Sequence, residues 1–142
     1  MLTLLLAVDG SECSLRAVDH LIDHQSWYKE APVVHLLCVH SPIPDGRVRR
    51  QLGQEALERY YREDAIEHLA AAEARLKAAG VAYQRHIHVG QPGEVIAHQA
   101  AELKADLVLL GTHGRSAVAG ALMGSVATRV VHQCAAPVLL VK

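Results

Sequence analysis

Apolar residues recur along the chain in two rhythms. Five short runs, Thr3 to Val8, Val33 to His40, Val81 to Val89, Asp106 to Leu110 and Pro137 to Val141, are dense in Val, Leu or Ile. The first, second, fourth and fifth are nearly continuous in hydrophobicity, as strands of a parallel sheet covered on both faces must be. The third alternates from Tyr83 to Val89, which predicts a strand near an exposed edge. Between the runs the period becomes helical. Leu15, Val18, Leu21 and Ile22 share a face, with Ser14 as the expected N-cap. Leu57, Tyr61, Leu69 and Leu76 keep helical spacing between Gln51 and Ala79, and Gly80 closes that run. Val95, Ile96, Ala100 and Leu103 mark a helix opened by Pro92-Gly93, and Val126, Val130 and Val131 mark a short last one.

The order is therefore β-α-β-α-β-α-β-α-β, with no repeat or low-complexity linker, and residues 1–142 form one domain. Right-handed crossovers place helices on both faces, so the expected fold is α/β, an open, doubly wound, five-stranded parallel sheet. Such sheets bind ligands beyond the carboxyl ends of their strands, where the strand order reverses. The loops after strands one, two and four become the ones to read.

After strand four the chain runs Gly111-Thr-His113-Gly114-Arg115 and on to Gly124-Ser125, where a helix begins. Glycines at a strand end let a ligand approach the backbone and its N–H groups. Gly124-Ser125 stands where free amides and the helix dipole favour an anion, and Ser125 adds a hydroxyl. The loop carries no acidic side chain, and His113 and Arg115 are its ionisable groups. This is a phosphate-binding pattern. At the end of strand one, in Val8-Asp9-Gly10-Ser11, the Asp9 carboxylate can accept from ribose hydroxyls, and it can equally close an Asx-turn. Strand two ends at Cys38-Val39-His40, whose backbone can meet an adenine edge.

Composition narrows the choice of partner. Fourteen Lys and Arg stand against fifteen Asp and Glu, a formal net charge of -1, so a broad basic field for nucleic acid is missing. With no Phe, one Trp and four Tyr, a stacking platform for single strands is disfavoured too. Cys13, Cys38 and Cys134 contain no C-x-x-C, which excludes a zinc ribbon or disulfide framework, and Cys38 reads as a small buried hydrophobe. The N-terminal apolar stretch spans only about seven residues without a basic flank, too short for a signal peptide or membrane span, so a soluble cytoplasmic protein is expected. No Walker-type G-x-x-x-x-G-K-[ST], no G-x-G-x-x-G and no G-x-S-x-G occurs.

The spacing Gly111, two residues, Gly114, nine residues, Gly124, Ser125, together with Val8-Asp9-Gly10-Ser11-Glu12 and Pro137 to Val141, resembles the ATP-binding branch of the universal stress protein family across essentially the whole chain. The resemblance implies a Rossmann-like fold of the adenine nucleotide alpha hydrolase-like type. It implies ATP, with Mg2+, as the ligand. Val8, Asp9 and the backbone of Val39 would hold ribose and adenine. Gly111, Gly114, Gly124 and Ser125 would cradle phosphates, with His113, Arg115 and Val126 as neighbours. It also implies a homodimer joined through the last strand, Pro137 to Val141, an apolar edge otherwise exposed to aggregation. One departure is the run Ala117-Val118-Ala119-Gly120-Ala121, smaller and less basic than many relatives carry.

His86 and His88, at i and i+2 on one strand face, suit edge-strand solvation better than metal binding. Gly46-Arg47-Val48-Arg49-Arg50 reads as a solvated loop after strand two. The expected function is a small ATP-binding stress protein acting as a nucleotide-dependent regulatory module, not an enzyme. The alternatives are a slow ATPase or phosphotransferase, for which His113 is the obvious base, and a nucleotide-free dimeric scaffold.

Overall fold

The computed structural model describes residues 1–114 and 122–142. Arg115 and the run from 117 to 121 lie outside the described residues. The strands are β1 (Thr3–Ala7), β2 (Val33–His40), β3 (Tyr83–Val89), β4 (Leu107–Gly111) and β5 (Val138–Val141). The helices are α1 (Glu12–Asp23), α2 (Gly46–Ala78), α3 (Pro92–Glu102) and α4 (Ser125–Gln133), with a short 3-10 turn at Gln25–Trp27.

All five strands run parallel in the order β3-β2-β1-β4-β5. The order reverses between β1 and β4, at the centre of the sheet. The pleat sorts the apolar runs into two layers. Leu4, Leu6, Leu36 and Leu109 pack with Val18 of α1 and with Leu69 and Leu76 of α2. Leu5, Leu37, Val108 and Leu110 pack on the other side with Ile96 of α3 and with Ala127 and Val130 of α4. Each fully buried Leu removes apolar surface from water worth about 1.5–3 kcal/mol, and these two layers hold the strand ends in register. Cys38 sits inside the first layer, 1% exposed. The alternating run is an edge strand, as the pattern predicts, and β5 forms the other edge.

Two local expectations are corrected. The N-cap of α1 is Ser11, not Ser14. Gly10, at φ +82°, turns the chain so that the Ser11 hydroxyl accepts from the Ser14 amide at 3.2 Å. Ser14 lies inside the first turn, and its own hydroxyl donates back to the Ser11 carbonyl at 2.9 Å. The basic stretch 46–50 is helical rather than a loop: Asp45 caps α2 by accepting from the Arg47 amide at 2.8 Å, and the arm continues to a kink at Gly53 (φ 73°). From Tyr61 onward one face of α2 is buried.

Candidate functional site

β2 is eight residues long and β1 only five. Beyond Ala7 the Val8 amide still donates to the Leu37 carbonyl at 2.9 Å, and there β1 ends. Main-chain groups alternate sides along a strand, so Val39 turns its N–H and C=O to the same side as Leu37, beyond the end of β1. The His40 carbonyl points the opposite way and accepts from the Gly90 amide of the β3 edge at 3.0 Å. A cavity of about 250 Å³ opens at this position, above the carboxyl ends of β1, β2 and β4.

Asp9 forms its floor. One carboxylate oxygen, Oδ1, accepts from the Ser11 amide at 2.9 Å, the Asx-turn of the sequence reading. The other, Oδ2, lies 2.6 Å from where a Cβ on Gly114 would stand. The glycine at 114 is thus what lets the loop after β4 descend onto Asp9. Gly111 is pressed as closely on the far side, its missing Cβ 2.8 Å from the Cys13 backbone and Sγ. The two ends of this loop are stapled: Thr112 donates to the Val141 carbonyl at 2.9 Å, and Gly124 donates to the Thr112 carbonyl at 2.7 Å.

Gly124 is also the N-cap of α4, and it has no side chain to cap with. The other three helices are capped by side chains, those of Ser11, Asp45 and Gln91. The first amides of α4 at Ser125 and Val126 therefore present donors and a positive dipole end to the cavity. His113 lies across from them, its Nδ1 3.1 Å from Thr112 Oγ1. Beneath the loop, burial alone would raise the Cys13 thiol. Backbone hydrogen bonding from His113, the Thr112 hydroxyl, the Arg16 charge and the Thr112 backbone outweigh burial and bring it below its ordinary value.

Of the residues expected from sequence, Val8, Asp9, Val39, Gly111, His113, Gly114, Gly124, Ser125 and Val126 all line this one cavity. The sequence reading drew on His40 only for its backbone, and it did not single out His68 of α2; both side chains line the cavity. Asp64 sits between them, Oδ2 at 2.5 Å from His40 Nε2 and 3.7 Å from His68 Nδ1. The i, i+4 spacing of Asp64 and His68 was visible, but nothing local indicated that α2 would cross the mouth of β2.

The universal stress protein family model matches residues 1–142. The chain belongs to the universal stress protein family. A universal stress protein of Thermus aquaticus is 35% identical over 143 residues, covering 99% of this chain and 98% of the relative. Among solved structures, hypothetical protein MJ0577 superposes with a TM-score of 0.82 at 26% identity, covering 99% of this chain and 94% of that one. A universal stress protein in complex with cAMP superposes with a TM-score of 0.71 at 27% identity, covering 99% and 97%. In the universal stress protein domain described here, the glycine spacing read from the sequence falls on the cavity wall at all three of its positions.

Proposed function

We propose that this universal stress protein domain binds ATP at the β1–β4 crevice and works as a nucleotide-dependent regulatory module. The observation that carries the reading is the convergence of three features on one cavity: the uncapped start of α4, the glycine cradle at 111, 114 and 124, and the bare main chain of Val39. Together they match a phosphate chain at one end and a base edge at the other, with Asp9 between them for the ribose. The related protein with bound cAMP supports an adenine nucleotide as the ligand class. A Cβ at Gly111, Gly114 or Gly124 would come within 2.6–3.2 Å of protein atoms, so glycine at these positions is what lets the loop fold into its cradle. Asp9, the carboxylate among the described lining residues, would hold a Mg2+ ion that accompanied the nucleotide and offset its charge.

Holding the nucleotide, rather than hydrolysing it, is the role we assign. Among the described lining residues Asp9 is the carboxylate, and its Oδ1 already accepts from the Ser11 amide. Pairing of two copies through β5 would cover that edge strand, whose four residues are all half-buried. No helix of the described residues is long and apolar enough to cross a membrane, and we assign the module to the cytoplasm.

The test is to heat-release nucleotide from purified protein, identify it by chromatography, and titrate the emptied protein with ATP calorimetrically. Released ATP with saturable rebinding supports the module. Released ADP with steady phosphate production replaces it with a slow ATPase, and an empty protein that ignores ATP leaves the dimeric scaffold.

A further inference from the structure

The base end of the crevice is held from outside the sheet. Val39 offers one donor and one acceptor, its own N–H and C=O, and their direction depends on where the end of β2 is pinned. His40, the next residue, sends its ring to α2: Nε2 meets Asp64 Oδ2 at 2.5 Å, while Nδ1 donates to the Ser41 carbonyl at 2.6 Å. The outgoing loop is caught three residues on, where the Ile43 amide donates to the Tyr61 hydroxyl at 2.8 Å. The His40 and Tyr61 rings also touch, with centroids 4.9 Å apart. The first tether is partly shielded, the His40 side chain being 14% exposed and that of Asp64 27%.

We propose that Asp64 and Tyr61 of α2 are positioning residues that set base selectivity, by clamping His40 and Ile43 so that Val39 presents its main chain in the register of adenine. The inference rests on the ATP-binding reading above. Adenine offers a donor at N6 beside an acceptor at N1, which complements a carbonyl beside an N–H. Guanine reverses that order, and a fixed main-chain pair would leave its polar groups unpaired. A pair free to shift or rotate discriminates less.

The chemistry of the clamp suggests its own control. A carbonyl only accepts, so His40 uses its Nδ1 hydrogen on Ser41, and the contact with Asp64 needs one further proton between Nε2 and the carboxylate. Asp64→Asn supplies that hydrogen from its amide and keeps the bond. Asp64→Ala does not.

The experiment measures dissociation constants of ATP, AMP and GTP for wild type, Asp64→Ala, Asp64→Asn and Tyr61→Phe. Wild type is expected to prefer ATP to GTP, and Asp64→Ala to lower that preference about tenfold, the worth of one well-aligned hydrogen bond. The ratio of ATP to AMP affinity should stay unchanged, because the phosphate cradle is untouched; a general loosening of the fold would lower it. Asp64→Asn should retain the wild-type preference. Tyr61→Phe should lower it, and decides the matter if Asp64→Ala does not fold. A preference that survives both Asp64→Ala and Tyr61→Phe overturns the clamp alone. A wild type that binds none of the three nucleotides overturns the clamp and the ATP reading together.

Discussion

At the scale of single residues, the described glycine with least room for a side chain, Gly114, lies where the ligand is expected. A methyl group at position 114 would stand 2.6 Å from Asp9 Oδ2, so it must displace either the carboxylate or the loop. Gly114→Ala should therefore weaken ATP binding at least about tenfold while the far-ultraviolet circular dichroism spectrum stays unchanged; calorimetry measures it. A second residue-level feature lies away from the site. His35 Nδ1 and His86 Nε2 meet at 2.8 Å between β2 and β3. Burial lowers the His35 value; burial, followed by the charges of His35 and His88, lowers that of His86. Both imidazoles thus prefer the neutral form more in the folded chain than in the unfolded one. Their contribution is fully present above the ordinary histidine value of 6.5 and is lost as pH falls below it toward the depressed folded values. Thermal melts should show stability falling as pH drops below that value, and His86→Gln should make the fall shallower.

Secondary-structure elements carry a different set of consequences. The Ser11 cap supplies the first turn of α1 with a hydrogen bond that the rest of the helix cannot provide, and Ser11→Ala should cost about 1 kcal/mol in urea denaturation. Leu69, fully buried on α2 against the sheet, should cost about 2–5 kcal/mol when cut to Ala. Legibility in the sequence also divides by element. The β strands were readable because continuous Val and Leu runs can only be satisfied between two helical layers, and the alternation of β3 marked it as an edge. The phosphate cradle was readable because Gly111, Gly114 and Gly124 lie on one short stretch of chain. The start of α2 was misread, since Pro44 and a run of arginines resemble a loop unless the Asp45 cap is weighed. The α1 cap was misplaced because Ser11 and Ser14 are chemically equivalent, and only the turn at Gly10 decides between them. The link of His40 and His68 through Asp64 was out of reach, because it joins the end of one strand to a helix face more than twenty residues on.

For the whole molecule, the proposed ligand and the proposed pairing each predict a measurable change. A nucleotide that binds only the folded chain should raise the unfolding free energy by about 2.7 kcal/mol at a hundred times its dissociation constant. At the other end of the sheet, the carbonyls of Pro137 and Val141 face β4. By alternation the main chain of Leu140 faces outward. Leu140→Pro removes an outward donor while sparing the ladder to β4, as proline on an edge can. If β5 joins two copies, sedimentation should show the variant as a monomer that retains ATP binding.

The difference in length between β1 and β2 has one more implication. A base recognised through a gap between neighbouring strands is recognised without any side chain. Trimming Val39 to Ala should leave nucleotide preference intact, while Val39→Pro, which deletes the N–H itself, should erase it. A β1 prolonged by two residues would pair with that N–H and shut the slot with no change to its lining. If ATP occupies the crevice, its base is selected at the strand terminus that β1 leaves unpaired.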